Sequence, residues 1–356
     1  MNDTSSNPVA ALRPRYQSDL ADGVARFFEP RRTACPWCNS TRLHRLILTR
    51  DLYQHKPGEF SLDRCDDCRH VFQNPQLSAA GLAFYYRDFY DGLGEKQMAK
   101  LLASMPKTYR ERARSLLAFT PAPERWLDVG TGHGHFCEAA RAVFATTRFD
   151  GLDFTDGAQI AERAGRVQLG YSGSFVELAP TFEAQYDVVS MFHYLEHSTH
   201  PQQDIEAARV ALRPGGHVLI EVPDPDSRFA RLLGAWWGPW FQPQHLHFVP
   251  VANLRRKLSE LGFTVVAEQH AEPHIPVDLL TAVWFAMNAV APDADLPWLP
   301  AKSALRRGLN SVLRAAIVVV CLPALLLAAL FDRILVKPLA GRSGWSNTYR
   351  LIARRD

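Results

Sequence analysis

The chain has 356 residues, 47% of them hydrophobic, with 40 Lys and Arg against 37 Asp and Glu for a formal charge of +3. The length suits one catalytic-sized domain with a small module and an insertion, and the hydrophobic share is ordinary for a globular fold. So small an excess of positive charge, with no basic run interleaved with aromatics, argues against a nucleic-acid partner.

Residues 1–30 are polar, with scattered charges and prolines, and read as a flexible lead-in without a secretory signal. Two C-x-x-C pairs follow, Cys35 with Cys38 and Cys65 with Cys68, separated by strand-like runs at 43–49 and 59–64. Each pair supplies two thiolates from one tight turn, and two such turns close a tetrahedral site of four thiolates. A zinc ribbon is therefore expected over 31–76, with a structural metal, because four protein ligands leave no open position. A redox C-x-x-C would stand once, at a strand-to-helix junction. Thiolate ligands place the chain in the cytoplasm. Cys137 and Cys321 sit alone in apolar surroundings and read as packing residues.

The stretch 125–134, Arg-Trp-Leu-Asp-Val-Gly-Thr-Gly-His-Gly, is the most informative in the chain. An apolar strand carries Asp128 near its end and breaks into a turn with Gly130, Gly132 and Gly134 at every second position. Glycine there admits positive φ and lets a ligand lie against main-chain N–H groups. A helix over 135–145 then points its positive end at that ligand. A dinucleotide turn needs G-x-G-x-x-G. The G-x-G-x-G spacing and the nearby acid instead suit a ligand with a cationic amino-acid end, S-adenosylmethionine (SAM).

Further along, 148–153 is a second strand ending in Asp153, where a nucleoside would present its ribose hydroxyls. Residues 186–192 form a third strong strand, 202–212 a helix, 217–222 a strand, 253–261 a helix closed by Gly262, and 263–268 another strand. Strands alternating with helices across short loops predict a doubly wound parallel α/β sheet. Trp236, Trp237 and Trp240 cluster in a loop that anchors in lipid head groups, lines a substrate pocket or packs in the core; Gly238 and Pro239 speak against a buried regular element. His245 and His247, two apart, face one side if extended and could contact an acceptor or a metal.

Residues 315–331 carry no charge, with Pro323 in the middle and arginines on both flanks. Seventeen residues reach about 26 Å, short of a bilayer crossing. Peripheral membrane contact through 311–336, as a kinked hairpin or an in-plane helix, is the favoured reading. Burial against the protein or a second copy in a homo-oligomer is the first alternative, and a true span the second. The alternating run 347–353 reads as a last strand.

In order, Leu-Asp-Val-Gly-Thr-Gly-His-Gly (127–134), Asp153, Tyr-Asp-Val-Val (186–189), Tyr-Leu-Glu-His (194–197), Leu-Arg-Pro-Gly-Gly (212–216) and Leu-Gly-Phe (261–263) resemble the landmarks of class I SAM-dependent methyltransferases. The resemblance implies a Rossmann-like, doubly wound sheet whose last strand is antiparallel, with the ribbon in front and an apolar helical insertion before that strand. The divisions are a SAM-binding domain over 77–272, an insertion over 273–344 and a last strand over 345–356. It assigns Asp128, Gly130, Gly132, Gly134, Asp153 and Phe154 to the cofactor, and Ser174 and Phe175 to the adenine region. With the ribbon and Phe-Gln-Asn-Pro (72–75), the chain is similar to bacterial polysaccharide- and deoxysugar-pathway methyltransferases. That similarity implies a small or lipid-linked acceptor, a saccharide, methylated on oxygen or carbon at the cytoplasmic face. Leu-Glu-His also occurs in ubiquinone-type O-methyltransferases, so a quinone or lipid acceptor is the alternative; a non-catalytic binding module on a degenerate fold is the third reading. His197 is the candidate base, its imidazole titrating near neutrality, with Glu196 orienting it and Tyr194 polarising the acceptor. His193 competes with His197.

Overall fold

The computed structural model describes residues 8–89, 93–94, 100, 103–270, 276–340 and 344–356. Three short strands come first: β1 (Leu43–Thr49), β2 (Phe60–Cys65) and β3 (Val71–Gln73). The larger sheet is built from β4 (Arg125–Val129), β5 (Arg148–Asp153), β6 (Gly170–Ser172), β7 (Tyr186–Phe192) and β8 (Leu212–Pro223). After the two-residue β9 (His247–Phe248), β10 (Phe263–Gln269) and β11 (Thr348–Arg355) complete it.

The large sheet has the order β10-β11-β8-β7-β4-β5-β6, and β11 alone runs against its neighbours. Its central strands read as nearly unbroken apolar runs because both faces are covered. The two-residue side-chain period divides them. Leu127, Val129, Val189, Met191, Val218 and Ile220 enter one core, while Trp126, Phe149, Val188 and Leu219 enter the other. The expected doubly wound, mixed sheet is what the chain forms. Its ligand edge collects the turns after β4, β5 and β7.

The ribbon region is not a separate bead. β1, β2 and β3 form an antiparallel sheet, and β9, 174 residues beyond β3, extends it as a fourth strand. The flexible lead-in is corrected for its described part. Pro8–Leu20 is a helix whose Tyr16 is fully buried beside Phe84 and Trp298, because aromatic rings supply the apolar contact that a polar-looking segment lacks. Residues 1–7 lie outside the described residues. The helix expected over 135–145 stops at Ala140.

The tryptophan loop forms two short 3-10 turns, Gly234–Trp236 and Gly238–Trp240. Trp237 and Trp240 are buried, donating from their indole nitrogens to Asp278 Oδ1 (2.8 Å) and Gly234 O (2.9 Å). No regular element is needed, since these hydrogen bonds satisfy the indoles in an irregular segment. Of the three, only Trp236 is exposed.

The insertion between β10 and β11 holds two long helices, Asp278–Val290 and Ala304–Phe331. Asp332 accepts from the amides of Leu279 (3.2 Å) and Leu280 (2.9 Å), and Arg314 donates to Asn288 Oδ1 (2.8 Å), so the pair runs antiparallel. The uncharged run 315–331 is therefore not a hairpin in itself but one arm of a larger one. Its helix, with Pro323 inside, has 28 residues, about 42 Å at 1.5 Å per residue. The apolar helix Ala304–Ile334 meets the length and composition of a membrane span and is 11% buried in its most apolar window.

Candidate active site

At the end of β4 the chain turns through Gly130, Gly132 and Gly134, with φ of +76°, +51° and +75°. The amides of Gly130 and Thr131 donate to Leu152 O of β5 (2.8 and 3.0 Å), and the amide of Gly132 donates to Asp153 Oδ2 (2.9 Å). The glycines serve different ends. A Cβ on Gly132 would meet nothing within 4 Å; on Gly130 it would strike the Tyr194 ring at 2.9 Å; on Gly134 it would strike Ala161 Cβ at 2.8 Å. Gly132 thus bares its backbone to the cavity, whereas Gly134 lets the turn pack on the helix Gly157–Arg163 and does not line the cavity. Asp128 is buried and accepts from the Ser190 hydroxyl. Burial pushes its carboxyl up to about 6, against the pull of Ser190. A cationic ligand end beside it would favour the ionised form.

Asp153 lines the same cavity. Its Oδ1 accepts from Thr155 N (2.9 Å) and Thr155 Oγ1 (2.7 Å), so with the Gly132 bond the carboxylate ties two turns together and keeps one acceptor position on Oδ2. Phe154 beside it is 80% exposed and offers a bare ring to the cavity. Ser174 caps the short helix Phe175–Leu178 and also lines the cavity. Phe175 is corrected: its ring is buried in the core, because the cap turns it inward, and its neighbours Val176 and Glu177 face the cavity instead.

The turn after β7 carries the other end of the site. His193 takes φ of +54° and bridges two carboxylates, Glu196 Oε1 (2.9 Å) and Glu221 Oε1 (3.2 Å). Burial works to lower its pKa, but the two acids outweigh burial and raise it. His193 is thus the anchored cation of the loop. Glu221 is gripped from behind by Arg112 (Nε, 3.0 Å) and Arg350 (Nε, 2.8 Å), which overcome burial and hold it well below the usual carboxylate range. Tyr194 donates to Asp204 (3.0 Å) while its ring lies on Gly130 at the glycine turn. Glu196 is buried; its main-chain carbonyl accepts from the amides of Leu246 (2.6 Å) and His247 (3.2 Å). His197 Nδ1 lies 2.7 Å from Tyr86 Oη and 3.1 Å from Gln244 O. Burial lowers its pKa, leaving a neutral imidazole. His245 packs edge-on against it, ring centroids 4.5 Å apart, and is likewise held neutral by burial. His247 points elsewhere, into a buried pair with His70 (3.0 Å).

One cleft of about 1980 Å³ joins these ends, from Gly130, Gly132 and Asp153 to His193, Tyr194, His197 and His245. Its far wall is aromatic. Tyr53 and Phe241 meet at 4.7 Å, Phe89 and Phe241 at 5.2 Å, and Phe241 and His245 at 4.8 Å. Val277, Asp278 and Thr281, at the root of the helical insertion, also line it.

The sequence profile of the methyltransferase-domain family matches residues 100–268, the stretch holding the glycine turn, Asp153 and the loop after β7. Over that stretch the chain is similar to methyltransferase domains. The ubiquinone biosynthesis O-methyltransferase of Marinobacter nauticus is 33% identical over 159 residues, 40% of this chain and 65% of that protein. The protein of the same description from Saccharophagus degradans is 27% identical over 135 residues, 35% of this chain and 56% of that protein. The chain spans less than two thirds of the length of these curated relatives. Among solved structures, a SAM-dependent methyltransferase from Archaeoglobus fulgidus aligns with a TM-score of 0.44 at 18% identity, over 70% of this chain and 94% of that one. The 1,6-didemethyltoxoflavin-N1-methyltransferase of Burkholderia thailandensis aligns with a TM-score of 0.41 at 18% identity, over 57% and 89% respectively.

Sequence reasoning misses Tyr86, which contacts His197, and the aromatic wall. Tyr53 stands 188 residues before Phe241, and no local pattern joins them. The four ribbon cysteines converge as expected. Cys35 and Cys68 sulfurs lie 3.6 Å apart, as do those of Cys38 and Cys65, and all four lie within 4.8 Å of one another. The amide of Trp37 donates to the Cys35 sulfur (3.4 Å), which suits a metal-bound thiolate.

Proposed function

We propose that this chain transfers the methyl group of SAM to a small or lipid-linked acceptor, with a saccharide as the first candidate. The observation that carries the reading is the single cleft running from the bare backbone of Gly132 to His197. Asp128 and the glycine turn would hold the methionine end, Asp153 the ribose, and Phe154 with Ser174 the adenine side. The acceptor would lie against Phe241 and lose its proton at the His197 end. Methyl transfer is an in-line displacement, so alignment and proton removal are what these residues supply. The cysteine quartet would hold a structural zinc whose chemistry is to close the ribbon, not to react. The apolar hairpin, rooted in the cleft wall at Asp278 and Thr281, supports a cytoplasmic-face enzyme that meets its acceptor at a bilayer.

A quinol- or phenol-type lipid is the second reading. The aromatic wall suits a planar ring, and the named relatives act in ubiquinone biosynthesis by their descriptions. Incubation with methyl-labelled SAM and cell extracts, separated into lipid-linked saccharide, quinone and nucleotide-sugar fractions, tests both. Label in the lipid-linked saccharide or nucleotide-sugar fraction supports the first reading, and label in the quinone fraction supports the second. SAM binding without label in any fraction counts against both and favours a binding module.

A further inference from the structure

Behind the acceptor end of the cleft, three side chains form a cluster with the chemistry of a metal site. Glu196, His197 and His245 each bring one ligand atom to within 4.8 Å of the other two. The geometry points to a second metal centre here, holding a divalent transition cation through two imidazoles and one carboxylate. Two of the three, His197 and His245, line the cleft.

Glu196 is 1% exposed, and its Oε2 is buried with no hydrogen-bond partner among the described residues. A buried carboxylate oxygen without a donor is costly unless something positive completes it. The other oxygen, Oε1, accepts from His193, which fixes the carboxylate and leaves Oε2 as the ligand atom. Both candidate imidazoles are oriented through Nδ1: His245 toward Pro239 O (2.8 Å), and His197 toward Gln244 O (3.1 Å) and the Tyr86 oxygen (2.7 Å), whose own proton goes to Gln244 O. A proton on Nδ1 donating to a carbonyl puts the lone pair on Nε2, the arrangement typical of metal-ligating histidines. Every candidate ligand is thus held by a second group, as ligands of a metal usually are.

The donor set excludes calcium and magnesium, which prefer all-oxygen shells, and fits zinc, manganese, iron(II) or cobalt(II). With bonds of about 2.0–2.2 Å, ligand atoms around such a cation stand roughly 3.0–3.5 Å apart, so a bound cation would draw the three together from the 4.8 Å within which they lie. Three protein ligands leave room for an oxygen of the acceptor, and a cation there lowers that oxygen's pKa as it does for bound water. The inference rests on the acceptor lying beside His197 and specifies how its proton is made labile: the cation lowers the pKa of the bound oxygen, and the proton passes to solvent water in the cleft rather than to a free imidazole.

Cobalt(II) titration of the full chain, cleared of metal, separates the two sites by colour, since only the cysteine site gives thiolate-to-metal charge transfer. The expected result is two equivalents, one with that band and one without it. His245→Gln should weaken the second equivalent by about 100-fold or more, beyond the 10–100-fold typical of losing an outer partner. Glu196→Gln should do the same, with the thiolate band and SAM binding kept in both variants. One equivalent only in the unaltered chain, or a second equivalent that survives both substitutions, overturns the metal centre and returns proton removal to His197 itself. SAM titration of the same samples is independent of the second cation, so its failure would instead count against the methyltransferase reading. Because Glu196 also ties loops together, circular dichroism checks each fold. If Glu196→Gln unfolds, His245→Gln, which leaves the Glu196 contacts in place, decides between the outcomes.

Discussion

At the scale of single residues, the glycine turn separates ligand contact from packing. Gly132 and Gly134 both sit at left-handed φ, where an added Cβ costs about 1–2 kcal/mol whatever surrounds it. Their surroundings then differ. A methyl on Gly132 enters open cleft where the cofactor would lie, while one on Gly134 collides with Ala161 and Arg166. Gly132→Ala is therefore expected to weaken SAM binding by at least tenfold in calorimetry with a small loss of melting temperature. Gly134→Ala should lower the melting temperature by the larger amount. Equal effects of the two changes on both readouts would show that the turn acts as a unit. Asp278 gives a pH-dependent test. Burial, with Asp332 nearby, raises its carboxyl to about 7 against the indole bond from Trp237. From near pH 4 to near pH 7 the folded chain keeps a proton that the unfolded chain has lost, so this group's contribution to stability falls as pH rises through that window. At 1.36 kcal/mol per pKa unit the loss amounts to roughly 4 kcal/mol. Asp278→Asn removes the titration and retains an oxygen for Trp237, so its melting temperature should gain on the parent between pH 5 and pH 8. Parallel profiles would show that Asp278 does not titrate there.

At the scale of elements, what is legible in the sequence is whatever the local pattern encodes. The strand Arg125–Val129, its glycine turn and the acid-tipped strand after it are contiguous, so spacing alone exposes their chemistry. Position in the chain misplaces Phe175 at the adenine, because the cap at Ser174 decides which way the next ring turns. Charge is a poor guide to where the apolar helix begins. Arg306, Arg307 and Arg314 lie within the helix Ala304–Phe331, whose start is set instead by the Ser303 cap on the amide of Arg306. Val320 and Leu327 on that helix are 78% and 67% exposed. Burying such a side chain in acyl chains is worth about 1.5–3 kcal/mol. The pair of changes Val320→Asp and Leu327→Asp should therefore reduce co-sedimentation with anionic vesicles at least tenfold. If the parent protein stays in the supernatant and light scattering shows a dimer that these changes split, the face is an interface between copies and not a membrane contact.

At the scale of the whole molecule, the small sheet beside the four cysteines takes its fourth strand from within residues 100–268, and that makes the cysteine site matter to the cleft. β3 pairs with β9 at Val71–Phe248 and Phe72–His247. The segment leading into β9 carries His245, and its amides at Leu246 and His247 hold the carbonyl of Glu196. The ribbon is also pinned by Asn253 to Cys68 O (2.8 Å), by Gln202 to Pro36 O (3.2 Å), and by Arg64 and Arg69 to Asp226. By contrast the donor turn is fastened within the large sheet, through Leu152 O and Asp153. If the four cysteines hold a metal as proposed, its loss should therefore loosen the His245 side of the cleft and leave the glycine-turn side standing. Hydrogen-exchange mass spectrometry before and after stripping the metal checks this. Amides in 60–73 and 242–250 should exchange faster while 125–134 and 148–153 keep their protection, and SAM affinity should change less than about threefold, within 0.7 kcal/mol. Faster exchange confined to 35–73 would mean that β9 holds its place without the ribbon, and that the acceptor loop is set by the large sheet alone.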